Sequence, residues 1–427
     1  MRMMSRGPRY LEEVFPFTAP PAWVGAARPG HALWVTDTTF RDGQQARAPY
    51  TPAQVLALYD LLHRLGGPHG AVRQCEFFLY ARRDREALEA CLARGHPHPE
   101  VTGWIRARAE DLALVRSAGL RETGMLMSCS DYHIFRKLRW DRARALSEYA
   151  RLAGLAADAG ILPRCHLEDV TRADLEGFVL PLVAELSRVC GPRGFRLRLC
   201  DTLGLGLPFD GVEAPRGVPA LVRSLRAAGL SPEQLEWHGH NDHHLAVANA
   251  LAAWLAGCGA ANGTLLGYGE RTGNPAVEAL VLHWVGLTGD RTPDTTAVGD
   301  IAREMEASGY TVPPMTPLAG GQAFRTAAGI HADGLLKDPA VYLPFDPEAV
   351  VGARAGVTVT DRSGAAGIAA WWRQTRGEAV EKDDPRVRRL VAWVSAAYEQ
   401  GRTTAIGDDE LMRVAGLGED TEESQRA

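Results

Sequence analysis

Between residues 31 and 266 the chain repeats one unit eight times: a short apolar run with a polar end, then a stretch of helical character. The runs are His31–Asp37, Ala71–Leu79, Val101–Arg106, Glu122–Met127, Ile161–Glu168, Phe195–Asp201, Gln234–His240 and Ala260–Leu266. Amphipathic stretches such as Pro52–Leu65, Ala109–Ala118, Arg142–Ala157 and Leu245–Ala256 lie between them. Strands alternating with helices predict parallel βαβ units. Eight such units over about 250 residues predict a closed (β/α)8 TIM barrel. A doubly wound open sheet is the alternative.

The flanks read differently. Residues 1–30 hold Pro16, Pro20, Pro21 and Pro29 and predict an irregular N-terminal arm with a short helix near Tyr10–Val14. After Gly289 the repeat stops, and Pro313-Pro314-Met315-Thr316-Pro317 with Gly320-Gly321 reads as a linker to mixed helical material. The expected division is an arm at 1–30, a barrel at 31–289 and a mostly helical extension at 290–427, ending in a frayed acidic tail over Gly418–Ala427. Apolar content of 46%, charge of 23% and a net charge of −5 describe an ordinary soluble protein and argue against nucleic acid as a partner. No run is long enough to span a membrane, and the N-terminus lacks the order of a signal peptide. The seven cysteines are scattered without a CxxC pair, so reduced thiols and a cytoplasmic location are expected.

In a barrel of this kind, the carboxyl ends of the strands build the site. Those ends carry Arg41 and Asp42, Glu76, then Arg164, His166 and Glu168, then Asp201 and Thr202, then His238 and His240, and finally Asn274. His238 and His240 share a strand face, so both imidazoles can reach one ion. One carboxylate, two imidazoles and an amide suit an open divalent site for Mn²⁺, Mg²⁺, Co²⁺ or Zn²⁺. Such a site fits Lewis-acid work on a carbonyl. Arg164, His166 and Glu168 also share a face. Two readings follow: Arg164 clamps an anionic substrate group while Glu168 orients a base, or Arg164 and Glu168 form an internal salt bridge.

Three stretches carry a resemblance: Thr38-Thr39-Phe40-Arg41-Asp42-Gly43-Gln44-Gln45, His238-Gly239-His240-Asn241-Asp242 and Gly269-Glu270-Arg271-Thr272-Gly273-Asn274. They resemble the signatures of the DRE-TIM metallolyases, the group of 2-isopropylmalate synthase, homocitrate synthase and hydroxymethylglutaryl-CoA lyase. Ser128-Cys129-Ser130-Asp131-Tyr132-His133, Pro313–Pro317 and Ala328–Lys337 look like the branch of the Re-citrate and 2-phosphinomethylmalate synthases.

The resemblance implies roles. Asp42, His238 and His240 would hold the metal, Mn²⁺ first, with Asn274 as a fourth contact. Arg41 and Glu76 complete the Asp-Arg-Glu set. Arg164 would bind a distal substrate anion, with His166 beside it, and Thr202 a substrate carboxylate. His331 and Tyr342 would reach into the site of a neighbouring subunit, which implies a homodimer with shared sites. The implied reaction is acyl transfer in which the acyl group becomes alkyl: acetyl-CoA condenses with an anionic 2-oxo acid. His331 poised by Glu168 would be the base, and Arg41 would stabilise the oxyanion. The expected product is 2-phosphinomethylmalate or 2-phosphonomethylmalate, in phosphinate or phosphonate natural-product synthesis. Re-citrate and homocitrate synthesis are the alternatives, and a non-catalytic sensor of CoA or a 2-oxo acid is the remote one. Asp361-Arg362-Ser363-Gly364 departs from the Lys-His-Ser-Gly common in the group.

Overall fold

The computed structural model describes residues 15–23 and 29–416. The expected helix near Tyr10–Val14 and the tail over Gly418–Ala427 lie outside them. Two compact units divide the chain: Ala22–Thr311, and Met1–Pro21 with Val312–Ala427.

The first unit is the expected closed parallel barrel, with β1 at Trp34–Asp37, β2 at Val72–Phe78, β3 at Glu100–Arg106 and β4 at Glu122–Ser128. It continues with β5 at Leu162–Glu168, β6 at Arg196–Asp201, β7 at Leu235–Gly239 and β8 at Ala260–Gly263, and β8 pairs with β1 to close the ring. The open-sheet alternative is thereby excluded. Local chemistry sets the helices. Thr51 and Gln54 form a capping box ahead of Pro52–Gly66, which buries Val55, Leu58, Tyr59, Leu62 and Leu65 at helical spacing. The unit runs past the expected boundary at Gly289. Helix Ala297–Ala307 buries Val298, Ile301 and Met305, and Arg64 of the Pro52–Gly66 helix bonds Asp300 at 2.8 Å.

The strands are apolar outward and charged inward. On β5 the outward Cys165 and Leu167 are fully buried beneath the helices, as are Leu197 and Leu199 on β6 and Trp237 on β7. The alternate residues meet inside: Arg164 (β5) contacts Gln74 (β2), Glu122 (β4) and Glu236 (β7). Strands β2, β5 and β7 are not neighbours, so those side chains meet only across the barrel axis. Branched aliphatics fill most such interiors; here the filling is ionic. Arg198 (β6) links Glu236 at 2.8 Å to Glu76 at 2.8 Å with no exposure to solvent.

The second unit gathers Ile368, Trp371, Trp372, Val387, Leu390 and Leu411 into its own core. Ser363 is buried there, donating to Ala327 O at 2.7 Å and accepting from Thr360 N at 2.9 Å. The seven cysteines are all free and buried, as expected of reduced thiols. No helix among the described residues is long and apolar enough to cross a membrane.

Removing one partner from a buried charge network strands the others. Arg198→Met should therefore cost about 3–5 kcal/mol in urea unfolding. A loss below ~1 kcal/mol would mean that Glu76 and Glu236 do not depend on this arginine.

Candidate active site

The turn after β1 places Arg41 and Asp42 at the barrel mouth, opposite the two histidines at the end of β7. One ligand atom from each of Asp42, His238 and His240 falls within 4.8 Å of the others. Nε2 of His238 lies 3.5 Å and Nε2 of His240 3.8 Å from Asp42 Oδ2. All three residues are buried. Burial disfavours the Asp42 charge, but Arg41, the two imidazoles and an Asn274 hydrogen bond outweigh it and hold the carboxyl at about 2. Burial lowers His238 to about 3, against the pull of Asp42, and also lowers His240. The donor set at neutral pH is thus one carboxylate and two neutral imidazoles.

The tautomer of His238 is fixed from below. Asn262 commits its amide nitrogen to Thr36 Oγ1 at 2.8 Å and Thr36 O at 3.2 Å, so its oxygen faces His238 Nδ1 at 2.6 Å. The ring proton therefore sits on Nδ1, and the Nε2 lone pair faces Asp42. Asn274 stands over the cluster, its Nδ2 2.9 Å from Asp42 Oδ2, while its Oδ1 is buried with no hydrogen-bond partner. A Cβ at Gly269 would collide with that oxygen, so the glycine makes the space the amide occupies. Three buried donors in ligating states beside an orphaned amide oxygen fit a divalent cation.

Arg41 is fixed by Glu76, with its Nε 3.0 Å from Oε1, and lies 3.4 Å from Asp42. Glu76 is fully buried; burial opposes its charge, but Arg198, His166 and Arg41 hold it well below the carboxylate range. Across the mouth, Glu168 bonds Ser128, and Lys137 reaches its two oxygens at 2.7 and 2.8 Å. His133 Nδ1 lies 3.0 Å from Glu168 Oε2. Against its burial, His133, Lys137 and Ser128 hold Glu168 at about 2.

The mouth thus gathers Arg41, Asp42, His238, His240 and Asn274, with Glu76 beneath them. Thr202 is at the end of β6, but its hydroxyl already accepts from Asp169 N at 2.8 Å. Arg164 corrects one of its two expected readings, the internal salt bridge to Glu168. It is 1% exposed, lies two residues below His166 on the strand, and pairs with Glu122 and Glu236 rather than with Glu168. His166 is equally buried, lowered to about 4 by its burial. His331 and Tyr342 belong to the second unit, their rings 4.4 Å apart.

Sequence reasoning assigned no role to Ser128, His133 and Lys137 around Glu168, or to Asn262 beneath His238. Lys137 had a usable signal as one of only three lysines in an arginine-rich chain. It arrives through a π-helical turn, Tyr132–Lys137, a geometry that often marks functional sites.

Comparison with known proteins places these features. The HMGL-like family profile matches residues 32–304. A citrate (Re)-synthase of Syntrophus aciditrophicus is 47% identical over 90% of this chain; the chain spans only 62% of that protein's length. A 2-phosphinomethylmalate synthase of Streptomyces hygroscopicus is 42% identical over 97% of this chain and 98% of its own. Among solved structures, the HMG-CoA lyase of Bacillus subtilis superposes with a TM-score of 0.53 at 19% identity, over 67% of this chain and 97% of its own, a likeness of fold.

Two outcomes are expected. His238→Ala should weaken Mn²⁺ or Co²⁺ binding at least tenfold by calorimetry; unchanged affinity would remove the histidine from the site. A carboxylate depressed by its partners adds stability above its ordinary value of about 4.5 and loses it as pH falls toward 2. Lys137→Met should therefore lower the melting temperature at pH 7 and converge on the parent near pH 2. A deficit constant with pH would rule out the Glu168 pairing as its cause.

Proposed function

The chain belongs to the HMGL-like family, and from that premise we propose that it condenses acetyl-CoA with a short anionic 2-oxo acid and releases CoA. The buried cluster of Asp42, His238 and His240 beside the fixed Arg41 carries this reading. The acceptors proposed are oxaloacetate, by likeness to the citrate (Re)-synthase, and phosphinopyruvate or phosphonopyruvate, by likeness to the 2-phosphinomethylmalate synthase. They share a pyruvate backbone and differ in the acidic group on its methyl carbon, a carboxylate in one and a phosphorus acid in the others.

A divalent cation, Mn²⁺ first, held by Asp42, His238 and His240 would supply Lewis-acid polarisation of the acceptor ketone. Arg41, locked by Glu76, aims its remaining N–H groups at the mouth, where the ketone oxygen becomes an alkoxide. The methyl carbon of acetyl-CoA loses a proton to a base and attacks the ketone carbon. Water then cleaves the thioester and frees the thiol. Glu168, held charged by His133 and Lys137, is too acidic to be that base at neutral pH. The role is proposed for His331, beside Tyr342, brought by the second subunit of a homodimer with shared sites.

CoA-thiol release with Mn²⁺ tests the reading against oxaloacetate, 3-phosphonopyruvate, 2-oxoglutarate, 2-oxoisovalerate and pyruvate. The four-carbon oxaloacetate skeleton should lead by kcat/KM, and its phosphono analogue against oxaloacetate decides the acceptor. No release with any acceptor would favour the sensor. His331→Gln should lower kcat about 10²–10⁴-fold. If sites are shared, mixing inactive His331→Gln and His238→Ala subunits should restore activity; no restoration would place the base within one chain.

A further inference from the structure

Gly334 lies inside the helix Gly329–Lys337 of the second unit, three residues after His331. Its φ is not positive, so the backbone does not call for glycine there. Glycine is also the weakest helix former apart from proline. What its missing side chain makes room for is a ring. A Cβ at Gly334 would run into Cε2 of Tyr342 and lie 2.7 Å from its Cδ2, well inside the separation at which carbon atoms pack. The Tyr342 ring therefore rests on the helix at Gly334. From that seat its centroid is 4.4 Å from the His331 ring, at an interplanar angle of 44°. Residues three apart share a helix face, so one tyrosine ring spans both.

What a side chain at 334 would displace follows from what is already held. The helix is tied at its start, where Gly329 N donates to Arg362 O at 2.9 Å. Its inner face is fixed by Ala332, fully buried with Val357 and Ala370. The backbone of Tyr342 is tied as well: its N–H donates to Pro339 O at 3.2 Å, and the next residue, Leu343, is buried. The ring alone is free to turn, since Tyr342 is 40% exposed. A methyl group at 334 would send it outward, away from His331.

We propose that Gly334 is a positioning residue: by carrying no side chain it seats the Tyr342 ring, and the seated ring holds the His331 imidazole in one orientation for proton abstraction. This deepens the condensation reading and rests on its assignment of the base to His331. The histidine is itself exposed, so without a neighbour its imidazole would exchange among rotamers. A ring contact at this separation attracts it and narrows that choice. Geometry of this kind matters to turnover, because a reacting group misplaced by about 1 Å costs about 10²-fold.

Gly334→Ala tests the seat. Alanine favours a helix, so a glycine with no such task would leave kcat unchanged and the melting temperature unchanged or raised. With the seat lost, kcat for CoA release should fall about 10–100-fold. Mn²⁺ affinity by calorimetry and KM for the preferred acceptor should stay as in the wild type, because barrel residues make those contacts. Placed on Tyr342→Ala, the same alanine should add nothing, as expected of two residues that act through one contact. No loss in Gly334→Ala, or a loss that persists in the Tyr342→Ala background, overturns the proposal. If Gly334→Ala alone does not fold, Tyr342→Ala should rescue it by removing the ring it strikes; no rescue overturns the seat.

Ring currents give a readout that needs no turnover. With isotope-labelled histidine, the His331 resonance is identified by its absence in His331→Gln. In Gly334→Ala it should move to the position it takes in Tyr342→Ala. An unmoved resonance overturns the seat while leaving the condensation reading intact. A moved resonance in a protein that releases no CoA with any acceptor leaves the seat standing, and the condensation reading falls. A moved resonance with unchanged kcat removes the positioning role.

Discussion

The site depends on one buried carboxylate. Glu76 has no exposure to solvent, and a carboxylate there without partners would take up a proton rather than stay charged. It remains charged because Arg198 bonds it at 2.8 Å and Arg41 at 3.0 Å, with His166 at 3.4 Å. The dependence runs both ways. Arg41 stands at the mouth with a fixed orientation because Glu76 holds its Nε, and a fixed cation beside Asp42 stabilises developing negative charge without reorganising as it forms. From Glu76 the network continues through Arg198 to Glu236, which also pairs with Arg164 and accepts from Thr36, and through Thr36 to Asn262 and His238. Arg41 and His238, a candidate metal ligand, are thus two ends of one buried chain.

Such a barrel is built inside out. The outward strand residues, Leu167, Leu199 and Trp237 among them, supply the apolar contact with the helices, and the inward ones supply charge. An ionic filling is seldom the most stable way to fill a barrel, since well-packed apolar residues often do as well or better. What it provides is position. Each inward side chain is held by partners on strands across the axis, so the residues at the mouth rest on a charged layer with little freedom to rearrange. The second unit needs none of this and packs tryptophans and aliphatics around an ordinary core.

The sequence made the barrel legible because its two periods are unmistakable. Pro52–Leu65 and Arg142–Ala157 lie within a residue of the observed Pro52–Gly66 and Arg142–Asp158, and six of the eight expected runs contain their strands, with β3 and β4 each running one residue beyond theirs. Alternation along a strand also gave the correct face for Arg164, His166 and Glu168. It did not give their depth. Period two says that a side chain points inward, not how deep it lies or which partners it meets, so it suggests a salt bridge to Glu168 where Arg164 pairs with Glu122 and Glu236 instead. Partners from distant strands leave no local trace either: Glu122 and Glu236, which claim Arg164, are 42 and 72 residues away from it. Lys137 reaches Glu168 only because a π-turn delivers it there, and helical periodicity does not foresee π-turns. The boundary at Gly289 fell short because the next helix packs its apolar face on the barrel without a strand before it.

The architecture also divides the acceptor problem in two. Beneath the mouth, the His166 imidazole, the charged Glu76 carboxylate and Gly124, which has no side chain, are closely packed. Oxaloacetate and its C–P analogue both carry an acidic group one carbon beyond the ketone. A planar carboxylate and a tetrahedral phosphinate or phosphonate differ in the directions their oxygens accept hydrogen bonds. That difference is read by donors standing around the distal anion. Donors set on the loops above the strands are free to differ between close relatives, because changing them leaves the buried network untouched. Lys137 and His133 are carried on the turn after β4 and held together by Glu168. On the proposed condensation, the buried network would set the geometry of the reaction, and the mouth would be left to choose between carbon and phosphorus.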